Sequence, residues 1–200
     1  MKKSKHPCPC SWSKSSRKFG LPQSYFVSFS FLVSIILFLF FLSCPSGGYA
    51  KTFYGRVIKV FDGDTFLVKA EGREEKVRLR EIDAPEISTR KKKGQEPWGK
   101  RAKEFARSKV RNRTVRLEVE DQEERDEYRR ILAYVFVGDL FVNREMIRSG
   151  NAFFYAGPFL GKYSKELKKT EREAREKGFG VWNRKNGLRE RPWEFRRRGR

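Results

Sequence analysis

Carboxylate and arginine side chains are concentrated in three short stretches of the sequence, residues 62–65 (DGDT), 78–86 (RLREIDAPE) and 126–134 (DEYRRILAY). Aspartate oxygens are the ligands that hard cations prefer, and a glutamate can orient or deprotonate a water molecule. Arginine forks match the oxygens of a phosphate and stabilise the charge that develops on it. Together these residue types could cleave a phosphodiester with the help of a metal ion. Taken singly, the stretches could equally be a hairpin turn, a strand end with solvated charges and a charged loop.

The positions of histidine and cysteine exclude several other kinds of chemistry. His6 and the three cysteines, Cys8, Cys10 and Cys44, all lie before Lys51. A mature chain that begins at Lys51 has neither residue type. This excludes Ser-His and Cys-His nucleophiles, disulfides and zinc sites built on nitrogen or sulfur. Any metal in such a chain must be a hard cation held by oxygens.

Residues 1–50 have the composition of a secretory signal peptide. A basic, acid-free flank precedes an apolar run at 25–42, and Gly48 and Ala50 suit the −3 and −1 positions of a cut before Lys51. An uncleaved membrane anchor is the first alternative, because the run has about the 18 residues that a span needs. Lipidation is the second alternative. All three place the following residues outside the cytoplasm. We predict a secreted or extracytoplasmic protein, with membrane contact only through 25–42 if uncleaved.

The charge balance favours a polyanionic partner. Lys and Arg number 46 against 25 Asp and Glu, which gives a formal net charge of +21. Nucleic acid or an anionic membrane would be attracted to such a chain. Solubility or a thermophilic surface is the alternative explanation.

The strands and helices that must position the charged stretches can be predicted from the spacing of hydrophobic residues. Strands are predicted at 52–61, 65–70, 76–82, 114–119 and 131–137, and helices at 97–110, 142–148 and 162–177. The Asp-Gly pair at 62–63 predicts a hairpin turn between the first two strands. This order predicts an α+β domain, a β-barrel with helices. Five strands in a partly closed barrel with about three helices leave few exposed edges.

The three charged stretches, in this order and spacing, resemble the signature blocks of the staphylococcal nuclease family. The resemblance runs from about Thr52 to Trp182. It implies an OB-fold-type five-stranded barrel plus about three helices over 51–184. The arginine-rich residues 185–200 that follow are predicted to form a basic C-terminal tail. The resemblance also implies a calcium-dependent phosphodiesterase, acting as a monomer, that hydrolyses DNA or RNA with little sequence specificity.

The resemblance implies a role for each matching residue. Asp64 and Asp83 resemble calcium-ligating aspartates, with the backbone carbonyl of Ala84 as a further ligand, and Asp62 would be a nearby acid. Within the third block, next to Arg130, Arg129 stands where the family has glycine.

The remaining matching residues would act on the substrate. Glu86 resembles the glutamate that positions or activates water. Arg78 and Arg130 resemble the pair that grips the scissile phosphate. Tyr128 looks like a nucleotide contact, and Tyr155 is expected to be a second.

Two other functions compete with an active nuclease. The first is an OB-fold module that binds nucleic acid without catalysis, but a retired site would be expected to have lost some of the matching acids and arginines. The second is a basic adhesin of the cell envelope, which leaves the set of acids and arginines unexplained.

Overall fold

The computed structural model describes residues 51–90, 92–120 and 124–199. The signal-peptide, anchor and lipidation interpretations of residues 1–50 lie outside these ranges. Within them, no helix combines the length and the apolar character that a membrane crossing requires.

A closed β-barrel forms the centre of the described part of the chain. Its strands are β1 (Lys51–Val60), β2 (Thr65–Ala70), β3 (Arg73–Leu79), β5 (Thr114–Val119) and β6 (Ile131–Val137); the short strands are β4 (Ile82–Asp83), β7 (Leu140–Phe141) and β8 (Phe153–Phe154). The main sheet has the order β3-β2-β1-β5-β6-β7. Parallel pairing of β3 with β6 closes the sheet on itself. The predicted five-stranded barrel of OB type is therefore confirmed.

Alternation along the strands explains why these segments form a barrel. In β2, Phe66 and Val68 are fully buried, while Lys69, which lies between the buried Val68 and Ala70, faces solvent. Leu117 of β5 and Val135 of β6 are also fully buried and belong to the same apolar core. Period-two alternation places such residues on the inner face of a pleated sheet. Burial of these side chains is the main stabilising contribution, at about 25 cal/mol per Å².

Four α-helices accompany the barrel within the described residues: α1 (Trp98–Val110), α2 (Val142–Arg148), α3 (Ser164–Glu176) and α4 (Pro192–Arg198), with a 3₁₀ turn at Gly180–Trp182. The first three correspond to the predicted helices. The fourth lies in the segment 185–200 that the sequence suggested to be a basic tail. Proline at its first position and Glu194, which accepts the backbone N–H of Arg191, define its start.

The single strand predicted at 76–82 is wrong at its end, because a turn divides it into β3 and β4. Glu81 in this turn has φ of +58°, the left-handed region that interrupts a strand. Its buried carboxylate accepts hydrogen bonds from the Tyr134 hydroxyl at 2.8 Å, the Gly161 N–H at 2.8 Å and the Ser164 hydroxyl. Groups distant in sequence therefore hold the turn in place.

A second, smaller apolar cluster lies apart from the barrel core. Trp98, Phe153 and Val181 are its buried members, and Trp182 and Trp193 pack against them. This cluster attaches α4 to β8.

Candidate active site

A cleft of about 580 Å³ opens at the ends of strands β2 and β3. Its lining includes residues from the turn after β1, the turn around β4, the 125–130 turn, the loop after β8, and α4. All but one of the residues predicted to form the site line this cleft: Asp64, Arg78, Ala84, Glu86, Tyr128, Arg130 and Tyr155. The exception, Asp83, is completely buried. It accepts hydrogen bonds from Arg78 and Arg196, which line the cleft.

Asp64 is fixed by the hairpin and by the chain after β4. The backbone N–H of Asp64 donates to Asp62 Oδ1 at 3.0 Å, which shapes the turn. The Ala84 N–H donates to Asp64 Oδ2 at 2.9 Å, and the Thr65 hydroxyl donates to Oδ1 at 2.9 Å. The backbone N–H of Leu79 also bonds the Asp64 carbonyl at 2.8 Å. The first and second charged stretches are thus joined at this residue.

Arg78 connects the two aspartates that the sequence predicts as metal ligands. Its Nη1 donates to Asp64 Oδ1 at 2.8 Å and its Nη2 donates to Asp83 Oδ1 at 2.8 Å. One guanidinium therefore spans both carboxylates, and its side chain is only 14% exposed. Although burial acts to lower the pKa of Arg78, the charges of Asp64 and Asp83 raise it, so the side chain stays protonated.

The pKa values of the clustered carboxyl groups are shifted by burial and by neighbouring charges. Burial raises the pKa of Asp62 to about 7, and the neighbouring Asp64 contributes. Burial, followed by the charge of Asp64, also raises the pKa of Asp83. Burial acts in the same direction on Asp64, but the charge of Arg78 and the hydrogen bonds from Ala84 and Thr65 together outweigh it and lower the pKa of Asp64. A raised pKa marks a carboxyl group whose charged form is poorly solvated, and a nearby cation would stabilise that form.

The donor types at this cluster fit a hard cation. Asp64, Asp83 and the carbonyl of Ala84 supply only oxygens, the ligands that Ca²⁺ prefers. Among the described residues, however, no three acidic or other metal-ligating side chains converge into a metal-binding group. The carboxylate oxygens point at guanidinium and N–H donors instead. The calcium ligands therefore stay a prediction.

Arg196 of α4 is a site residue that the sequence did not reveal. Its Nη1 donates to Glu86 Oε1 at 2.6 Å and to Asp83 Oδ1 at 3.0 Å, and its Nη2 donates to Asp83 Oδ2 at 2.8 Å. The sequence places Arg196 in an arginine run with no periodic pattern. The one available signal was Trp193, an aromatic residue one helical turn earlier that could anchor the segment.

Arg130 reaches the cleft from the 125–130 turn. Asp126 Oδ2 accepts from its Nε at 2.7 Å and from its Nη2 at 2.7 Å, a two-point pairing that fixes the fork. Its Nη1 lies 3.4 Å from the Thr65 hydroxyl, which itself donates to Asp64. The structure thus brings the third charged stretch to the first two.

The two predicted nucleotide contacts occupy different parts of the rim. Tyr128 is 60% exposed, and the Arg130 guanidinium lies 5.2 Å from the centre of its ring. Tyr155 is 41% exposed and packs against Trp193, with ring centres 5.1 Å apart. An exposed aromatic ring beside a basic cleft can stack on a base.

A closed barrel with acids and arginines gathered around one cleft at its strand ends defines an OB-type protein with a charged site. Residues 76–184 match the family model for staphylococcal nuclease homologues. A thermonuclease of Staphylococcus intermedius is 36% identical over 128 residues, which cover 64% of this chain and 75% of that protein. An uncharacterized endonuclease of Escherichia coli is 33% identical over 167 residues, or 82% and 97% of the two chains. The chain belongs to the staphylococcal nuclease family.

Proposed function

We propose that this protein is an extracytoplasmic, calcium-dependent nuclease that hydrolyses DNA or RNA with little sequence specificity and acts as a monomer. The observation that carries the proposal is the assembly of Asp64, Arg78 and Glu86 with Arg130 in one cleft. Family membership and relatives named thermonuclease and endonuclease support phosphodiester hydrolysis. A nucleic-acid-binding module that has lost catalysis would be expected to lack some of these acids and arginines.

In the proposed mechanism the two arginines hold the scissile phosphate. Arg130 keeps its fork aligned through Asp126 and can present its remaining donor to a phosphate oxygen. Arg78 carries a second planar fork at the cleft, and its present partners Asp64 and Asp83 are the carboxylates that would hold a cation. Bound calcium would neutralise phosphate charge and act as a Lewis acid. Donors aimed at charge that develops in the transition state contribute about 3 kcal/mol each.

Glu86 supplies the acid-base group of the proposed reaction. Its carboxylate lies at the cleft wall beside Asp83 and is 35% exposed, so that water can reach it. Glu86 orients a water molecule or accepts its proton as the water oxygen attacks phosphorus. One phosphorus–oxygen ester bond breaks, and the leaving oxygen takes a proton from solvent.

Low sequence specificity follows from the character of the cleft. Most of its polar lining consists of charged groups, which suit phosphates rather than base edges. Phosphate contacts position a nucleic acid and carry no sequence information. The exposed rings of Tyr128 and Tyr155 would stack on bases of any type.

Cleavage of labelled single-stranded DNA and RNA by the purified full-length protein tests the nuclease proposal. We expect cleavage with calcium, little with magnesium because its octahedral geometry is more demanding, and none in EGTA. Undiminished cleavage in EGTA, or equal rates with both metals, would contradict the metal assignment. Binding without cleavage under every condition would favour the inactive module.

The location and the monomeric state need separate measurements. Mass spectrometry of the N-terminus should find a mature protein that begins at or near Lys51, outside the cytoplasmic membrane. Retention of 25–42 would indicate an anchor, and a lipid on Cys44 a lipoprotein. Light scattering should give the mass of one chain.

A further inference from the structure

Helix α4 covers the groups on which the proposed function depends. It lies beyond residues 76–184, the segment that matches the family model. Its side chains contact Asp83, Glu86 and Tyr155, which are predicted as a metal ligand, the water-activating acid and a nucleotide contact. An added C-terminal element thus reaches three parts of the site at once.

The Arg196 guanidinium takes the position of a cation at the acids. It donates to both oxygens of Asp83, at 3.0 and 2.8 Å, and to Glu86 at 2.6 Å. Asp83 is completely buried, so its oxygens are not also available to solvent. A cation that binds Asp83 must therefore compete with Arg196 at both oxygens and with Arg78 at Oδ1.

An uncharged contact holds the same helix. The ring of Trp193 lies 5.1 Å from that of Tyr155 and 6.0 Å from that of Phe153, centre to centre. Trp193 also packs against the apolar cluster that includes Trp98 and Val181. Docking of α4 therefore depends on an ionic contact and on an aromatic one, and each can be removed without the other.

We propose that α4 is an inhibitory cap whose docking through Arg196 and Trp193 excludes a divalent cation from Asp83. This inference rests on the proposed calcium-dependent function. Because coupling between two binding events is reciprocal, α4 lowers calcium affinity and calcium releases α4. Release would also free the Glu86 carboxylate from its ion pair with Arg196 and the Tyr155 ring from its contact with Trp193. Loss of a competing charge-assisted contact should change affinity by about tenfold.

Calorimetric calcium titration of the full-length protein tests the cap. Arg196→Gln removes the ionic contact, and Trp193→Ala removes the aromatic one without changing net charge. Both variants should bind calcium about tenfold more tightly than wild type. Arg197→Gln is the matched control, because it removes the same charge from an exposed position on the same helix. Its affinity should stay within about twofold of wild type.

Trypsin cleavage within 189–198 measures the reciprocal effect. Calcium should accelerate this cleavage in wild type, whereas Arg196→Gln and Trp193→Ala should be cleaved rapidly with or without calcium. Circular dichroism should show that all variants remain folded.

The outcomes separate the cap from the proposed function. Equal calcium affinity in wild type, Arg196→Gln and Trp193→Ala, together with calcium-dependent cleavage of DNA, overturns the cap and leaves the nuclease. Tighter binding in Arg196→Gln but not in Trp193→Ala also overturns it, since a through-space charge effect would then suffice. Absence of calcium binding in every variant, with no calcium-dependent cleavage, overturns both.

Discussion

Arg78 and Arg130 line the same cleft, but different kinds of structure hold them. Arg78 spans Asp64 and Asp83, whose side chains are 5% and 0% exposed, and both partners are predicted metal ligands. Arg130 pairs with Asp126, which is 15% exposed and has no predicted metal role. We call Arg78 with Asp64 and Asp83 the strand wall, and Arg130 with Asp126 the turn wall. The strand wall is held by two carboxylates that a bound cation would also use, whereas the ion pair of the turn wall involves no predicted metal ligand.

The largest effect is expected at Glu86, beside the strand wall. Glu86→Gln should lower kcat by about a hundredfold or more with little change in KM, since the loss is felt in the transition state. Asp64→Asn should weaken calcium binding, because it removes a charged ligand. Steady-state kinetics over a range of calcium concentrations should show that added calcium partly restores the rate of Asp64→Asn but leaves Glu86→Gln slow. Equal rescue of both would assign Glu86 to the metal site instead.

The two arginines give the direct test of the comparison. Arg78→Lys and Arg130→Lys should each lower kcat by about a hundredfold, because a point charge cannot replace the planar fork. Their stabilities should differ. Urea unfolding should show a loss of about 1–3 kcal/mol for Arg78→Lys, whose partners are buried, and less than about 1 kcal/mol for Arg130→Lys. Equal losses would show that the walls do not differ as described.

A smaller effect is expected when the support of Arg130 is weakened. Asp126→Asn can keep the hydrogen bonds from the N–H groups of Tyr128 and Arg130, but it loses the charged pairing with the guanidinium. We expect kcat to fall about tenfold or less, with a change in unfolding free energy under about 1 kcal/mol. Calcium affinity, measured by calorimetry, should not change. A weaker calcium affinity would mean that the turn wall also depends on the metal.

The smallest effect concerns stability alone. Arg129 has φ of +64°, and a left-handed conformation costs a side-chain-bearing residue about 1 kcal/mol. Arg129→Gly should raise the free energy of unfolding by up to about 1 kcal/mol in a urea titration. The backbone of Arg129 supports the turn, because its N–H donates to the Asp126 carbonyl and its carbonyl accepts from the Arg125 guanidinium. A loss of stability would show that the arginine side chain itself stabilises this wall.

Regular elements were predictable from the sequence because their signals are local. The predicted strands at 65–70, 114–119 and 131–137 and the helix at 142–148 have the bounds that the structure shows. Alternation and helical spacing within each segment suffice for such predictions. The break after β3 was missed, since Tyr134, Gly161 and Ser164 hold Glu81 from far along the chain.

The candidate site likewise contains residues that the sequence predicts and one, Arg196, that it does not. Residues within the three charged stretches were recognisable, and the structure brings them to one cleft, although their roles stay predictions. Arg196 was not recognisable, because its contacts with Asp83 and Glu86 exist only after α4 docks on β8 and its neighbours. Contacts between segments so distant leave no local pattern.

The parallel pairing of β3 with β6 also has a consequence for how the chain folds. The β1–β2 and β2–β3 pairs join neighbouring segments and can form early, but the barrel closes only when Val77 meets Ile131. Helix α1 and strand β5 lie between these two strands in sequence. Closure of so long a loop is entropically costly and slows folding. During synthesis the cleft therefore cannot assemble before β6 is available, so a partly made chain has no complete site.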